Sequence, residues 1–262
     1  LQAAEQHHRS QAQGQNDLFG LSDTAALPVT PSATAKVDPW PLKKLLAAEK
    51  AVLGFYLSGH PMDEYRHELQ GFVSASLADL ARNDTEPNAD TRQVVVAGLV
   101  VELRARHSRQ GKKMVFLTLE DGTGRLEVAV FAEVLADVEE VLEKDALLVV
   151  QGEIGRDDFT GNLRLVADRV WNLTQAREHF AKGIWIRWES QSAAGAKEQT
   201  ARLAELLRAY RGGRCPVFVE YRNGLARTCL RLGGDWRVQP EDGLLQQLTR
   251  QFGQSRVTLR YD

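Results

Sequence analysis

Five cationic side chains fall within ten consecutive residues, Arg104, Arg106, Arg109, Lys112 and Lys113, and no acidic residue interrupts them. Groups of this kind, spaced along an extended segment, can neutralise successive phosphates of a nucleic-acid strand. Just beyond them the pattern alternates. If Val115, Leu117 and Leu119 point inward with Leu126, Val128 and Val130, then Phe116, Thr118, Arg125, Ala129 and Phe131 point outward. Phe116 and Phe131 would then offer faces on which unpaired bases stack, with Arg125 beside them. The surroundings limit this grip. Residues 94–174 hold ten Lys or Arg against fourteen Asp or Glu, so the expected contact is local and salt-sensitive.

A second chemical signal lies in the stretch QNDLFG, Gln15 to Gly20. Its flanks, EQHHRSQAQG and LSDTAALPVTPSATAKVDP, are small or polar and cannot build a core around Leu18 and Phe19. Two large apolar side chains so placed suit a peptide that enters an apolar cleft on a partner, with the Gln15 amide bonding at its rim.

Catalytic and metal chemistry are not expected here. Asp121, Asp157 and Asp158 sit in glycine-bearing turns, where a carboxylate serves backbone N–H groups. His60 belongs to a Gly-His-Pro turn and reads as structural. No His and Cys cluster has zinc spacing, no serine has an elbow motif, and GTGR is a hairpin turn with no helix after it.

These residues need a scaffold, and the sequence supplies three kinds. Residues 1–37 read as the tail of a preceding helical segment and a linker. Residues 38–92 read as a helical connector: Leu42, Leu45, Leu46, Leu53 and Tyr56 share a face, and Met62 to about Leu69 forms a second short helix. Residues 93–174 have period two in VVVAGLVVELRAR, MVFLTLE, RLEVAVF, ALLVVQGEI and LRLVADRVW, with one helix, AEVLADVEEVLEKD, after the third. That order is the order of a five-stranded OB-fold barrel. Residues 177–262 mix the two periods and read as a small α+β domain, with a hairpin at Asn223-Gly224 and a Pro240-initiated helix. The expected fold class is multi-domain, mainly β and α+β.

A net charge of −2 over 262 residues gives no global nucleic-acid signature. No apolar run reaches membrane-span length. With a two-residue turn at Asn223-Gly224, Cys229 faces Phe218 and not Cys215, a poor arrangement for a disulfide and consistent with a cytoplasmic location. Leu1 is not a methionine and LQAAEQHHRSQAQ resembles a helix tail, so the chain reads as a piece of something longer. Trp185, Trp188, Trp236, Tyr221 and Tyr261 are expected to supply exposed anchors in the last domain.

Taken together, GFYLSGHPMDEY, the run from VVVAGLVV to RLEVAVF, VLEKDALLVVQGEI and DDFTGNLRL resemble, in the same order, the C-terminal region of the bacterial replicative DNA polymerase III alpha subunit. The likeness runs from about Gln13 to Asp262. It implies a sliding-clamp (beta) binding peptide at Gln15, Asp17, Leu18 and Phe19, a connector, an OB domain that contacts single-stranded DNA, and a domain that binds the clamp-loader subunit tau. It also implies that the nucleotidyl-transfer carboxylates and their Mg ions belong to an upstream domain, with no cofactor in this segment. Two rival readings remain: a free-standing OB-fold binder of single strands, and an anticodon-binding module of a synthetase.

Overall fold

Period-two alternation of β-branched residues gives five strands, β1 (Arg92–His107), β2 (Lys113–Glu120), β3 (Arg125–Val130), β4 (Leu147–Arg156) and β5 (Leu163–Asn172). They close in the order β1-β2-β3-β5-β4, the β3–β5 pair being parallel and the others antiparallel. The structure is a computed structural model describing residues 39–83, 92–107, 111–157, 161–189, 193–222 and 226–261. Residues 45–262 form one compact unit, to which the tertiary description is confined. QNDLFG and Arg109 lie outside the described residues.

The barrel interior is filled by the alternate residues expected to face inward, among them Leu117, Leu119, Val128, Leu148 and Leu165. Closure depends on Gly152. It stands at a register shift where β4 crosses β5, and a Cβ there would lie 1.9 Å from the Val166 carbonyl oxygen. Because the obstruction is backbone, Gly152→Ala should cost about 3 kcal/mol or more, whereas Gly233→Ala, which meets open space, should change little. Calorimetric melting of the two variants checks this.

The connector is less regular than its periodicity suggests. Helix α1 (Leu42–Leu53) buries Leu46 but leaves Val52 and Leu53 exposed, as are Phe55 and Leu57 after it. A 3₁₀ turn at Pro61–Glu64 is capped by His60: its Nδ1 accepts from Met62 N–H at 3.3 Å, and the Asp63 carboxylate accepts from His60 N–H at 2.8 Å. This gives His60 the structural role read from its turn. Short α2 (Arg66–Leu69) follows, and then a helix the sequence pattern did not reveal, α3 (Leu77–Asn83). Asp121, in the β2–β3 turn, accepts hydrogen bonds from Leu77 N–H at 2.9 Å, Thr123 N–H at 2.8 Å and Gly124 N–H at 3.0 Å. Burial alone would raise its carboxyl pKa, but these hydrogen bonds prevail and hold it below the usual value. The backbone role expected of Asp121 extends to α3.

Helix α4 (Ala132–Val138) lies between β3 and β4, and α5 (Leu173–Phe180) starts directly from the end of β5, with Asn172 as its cap. Residues 174–182, expected as a boundary, are thus mostly helical. Beyond them come β6 (Gly183–Glu189), α6 (Ala193–Arg208), β7 (Arg211–Cys215), β8 (Val217–Arg222), β9 (Arg227–Arg231), α7 (Asp242–Phe252) and β10 (Val257–Arg260). The sheet runs β10-β6-β8-β9, with β6 and β8 parallel. Ile184, Ile186, Val217 and Val219 meet Leu203, Leu207, Leu244 and Leu248 from α6 and α7 in its core.

Three expectations change here. Cys215 ends β7 and Cys229 opposes Glu220, because the hairpin connection spans more than the two residues assumed; both thiols are free. Burial pushes the Cys215 thiol up to about 12. The aromatic anchors are not free surface groups: Trp188 is buried, Trp185 stacks on Phe218, Arg211 covers Trp236, and the Tyr261 hydroxyl donates to Glu68. Helix α7 begins after Glu241, so Pro240 precedes its cap.

Connector, α5 and α7 meet at Arg177, only 2% exposed. Its Nε and Nη2 donate to the two Glu68 oxygens at 2.6 and 2.8 Å, and Nη1 donates to Asp242 Oδ1 at 2.7 Å and the Pro240 carbonyl at 3.1 Å. The Tyr65 hydroxyl donates to Asp242 at 2.8 Å and that of Tyr261 to Glu68 at 2.5 Å.

Candidate nucleic-acid interface

Long β1 and shorter β2 form a ribbon whose far end is exposed, and the cationic residues line it. Arg104 pairs across the ribbon with Phe116, and Arg106 with Met114. Phe116 opposes Ala129, and Ala129 opposes Val166 on β5. One row therefore reads Arg104, Phe116, Ala129, Val166. Phe131 stands just beyond β3 and is 39% exposed, and Val166 is 36% exposed. Arg125 is exposed opposite Glu120. Of the candidate residues described, Arg104, Arg106, Phe116 and Phe131 thus share one side of the barrel, while Arg125 lies at the opposite end of β3.

Two features of this side were not legible in the pattern. Ala129, expected to face out, is buried, because β5 closes against β3 at that point. The cations are also not unopposed: Arg104 meets Glu102 at 2.6 Å, Lys112 meets Glu133 at 2.9 Å, and Lys113 pairs with Glu139. Glu133 and Glu139 come from α4 and the turn after it, a region the linear run does not display. The hydrogen bond to Glu133 raises the Lys112 pKa, and that bond lowers the Glu133 pKa. These pairs are solvent-exposed, and such pairs contribute little; a phosphate can replace the carboxylate at small cost.

The residue missed by sequence reading is Arg164. Its guanidinium lies 5.2 Å from the Phe116 ring centroid and is held by Glu127 at 2.5 Å and by Asp157. Phe116 is therefore half-covered, leaving Phe131 as the freer stacking face. A strand register for β5 would have been needed to find Arg164, since β3 and β5 are separated by a helix and a strand. The site can hold a short stretch of single strand: phosphates along Arg104, Arg106 and Lys112, with a base against Phe131.

Residues 94–173 match the OB-fold nucleic acid binding domain family, and residues 202–253 match the family described as DNA polymerase III subunit alpha, C-terminal domain. Across 261 residues, 100% of this chain, it is 40% identical to DNA polymerase III subunit alpha of Pseudomonas aeruginosa PAO1. The chain matches the C-terminal region of the polymerase III alpha subunits. The alpha subunit of Vibrio cholerae is 39% identical over 263 residues and that of Escherichia coli K12 is 35% identical over 262 residues, each covering 100% of this chain. The chain spans only 21% of the Pseudomonas alpha subunit and 22% of the other two. The closed five-stranded barrel is the OB fold of this alpha-subunit region, followed by its α+β part. Among the described residues, no helix is long and apolar enough to cross a membrane.

Proposed function

We propose that this chain is the scaffold end of a replicative DNA polymerase alpha subunit: the barrel holds single-stranded template, QNDLFG grips the sliding clamp, and the α+β part joins the clamp-loader subunit tau. DNA-directed synthesis, with its acidic residues and Mg, belongs to the upstream part of the parent chain. The observation carrying this reading is the match of the whole chain, end to end, to polymerase III alpha subunits. The exposed cation and ring side of the barrel supports its nucleic-acid part, because phosphates and bases are the groups such side chains bind.

The test is a fluorescence-anisotropy titration of a labelled oligothymidylate across a salt series. Arg104→Ala with Arg106→Ala should reduce the slope of log K against log salt by about 1.4, about 0.7 for each lost phosphate contact. Phe131→Ala should weaken binding by about 1–3 kcal/mol at every salt concentration while leaving the slope in place. Unchanged slopes and affinities in both variants would refute the barrel assignment. A free-standing single-strand binder would bind the strand equally well but show no affinity for the clamp.

A further inference from the structure

The second sheet has one face packed on helices and one face without them. Residues Ile184, Ile186 and Trp188 of β6 and Val217 and Val219 of β8 point into the core, so their neighbours point the other way. Register puts Trp185, Phe218 and Arg231 in one row, Arg187, Glu220 and Cys229 in the next, and Arg222 opposite Arg227. Arg260, one residue beyond the core residue Leu259 and two beyond Thr258, which pairs with Trp185, completes the face.

Two properties set this surface apart. Trp185 and Phe218 lie in parallel, centroids 4.1 Å apart at 11°, with the Arg260 guanidinium 4.6 Å from the Trp185 ring and that of Arg231 5.9 Å from the Phe218 ring. The charge is strongly one-sided. Arg187, Arg222, Arg227, Arg231 and Arg260 face only Glu189 and Glu220, although the chain as a whole carries −2. Glu220 is held between Arg187 at 3.7 Å and Arg260 at 3.1 Å, and Glu189 meets Arg256 at 3.6 Å. Arg222 Nε is a buried donor with no hydrogen-bond partner among the described residues. Positive potential concentrated on an otherwise acidic molecule selects a polyanion, and rings interleaved with guanidinium groups select one with flat, unstacked bases. An acidic peptide would satisfy the charge but leave the rings without a matching partner.

We propose that the helix-free face of the β10-β6-β8-β9 sheet is a second binding surface for single-stranded nucleic acid, separate from the barrel. The proposal goes beyond the barrel assignment and does not depend on it. Edge strand β9 is exposed along its whole length, so a strand can cross the edge and lay phosphates over Arg227 and Arg231 while bases approach Trp185 and Phe218.

The experiment uses the full chain with Arg104→Ala and Arg106→Ala already in place, so that barrel binding is removed first. In that background, Arg227→Ala with Arg231→Ala should lower affinity for a labelled oligothymidylate by about tenfold or more at low salt and reduce the salt slope by about a further 1.4. Both side chains are exposed, and an unchanged melting curve shows that the fold is kept. Photocrosslinking with an oligonucleotide carrying 4-thiothymidine should label peptides from β6 and β8. Crosslinks confined to the barrel, or affinity unchanged by the β9 substitutions, overturn the proposal. So does a variant that binds DNA normally but loses a protein partner, since the face would then be a protein interface. If the barrel substitutions alone have no effect while the β9 substitutions do, the barrel assignment fails and this one stands.

Discussion

Replacing Arg177 by Leu is expected to lower the stability of residues 45–262 by about 3–5 kcal/mol, the cost of removing one partner from a buried ionic group. The substitution keeps most of the aliphatic volume but leaves Glu68 and Asp242 without the cation that both carboxylates bond, at 2.6 and 2.7 Å. It also leaves the Pro240 carbonyl without a donor. Arg177→Lys should recover only part of the loss, because an ammonium group cannot span Glu68 with two parallel bonds and reach Asp242 as well. Burial alone would depress the Arg177 pKa, but hydrogen bonds and charge from Glu68 and Asp242 raise it, so the guanidinium stays charged at any working pH. The two phenols behave differently. Burial first, and the adjoining carboxylates after it, raise Tyr65 and Tyr261 above the ordinary 10.0. A raised folded pKa favours the neutral phenol in the fold. Stability from these groups is therefore complete below pH 10 and falls as pH rises above it, as the unfolded chain ionises first. Urea midpoints measured from neutral to alkaline pH read both effects, and a Leu variant as stable as the parent would show that the network contributes nothing.

In the proposed replisome role, the double substitution Leu18→Ala and Phe19→Ala should abolish clamp binding and leave the melting temperature where it was. Burying each side chain in a cleft contributes about 1.5–3 kcal/mol, and ordering each flexible residue of the peptide takes back about 1 kcal/mol or more. The isolated peptide should therefore bind weakly. Tethered to a polymerase already on DNA it gains from a high effective concentration. Surface plasmon resonance on immobilised clamp, with differential scanning calorimetry beside it, separates the outcomes: a melting temperature lowered by several degrees assigns the two residues to a core within this chain.

The barrel was legible because its strands are long, β-branched and half-buried, so that Leu117, Leu119, Val128 and Leu148 announce the inner face by period alone. What stayed hidden was set by contacts between distant segments. Helix α3 carries too few apolar residues to show a period, and its start is fixed by Asp121, some forty residues away. Strand β7 reads as a glycine-rich helix stop, RGGRC, and is a strand because it bridges to Val238. Ala129 alternates correctly and is still buried, since closure of a barrel adds a neighbour that no single strand reveals. The cationic run was visible, but the acids that meet it come from α4 and its following turn, and Arg164 reaches Phe116 only through the β3–β5 pairing. Charge in a linear stretch states what a segment carries and not what faces it.

The short path from barrel to second sheet has a mechanical consequence. Strand β5 ends on Asn172, the residue whose side chain caps α5, and one turn later Arg177 is clamped between Glu68 and Asp242. No slack chain lies between the two β-structures at this junction. A pull applied to the second sheet is therefore transmitted to the barrel as load on hydrogen bonds and packed rings, with little compliance. The pair moves as a lever, and tension on one end displaces a strand held at the other.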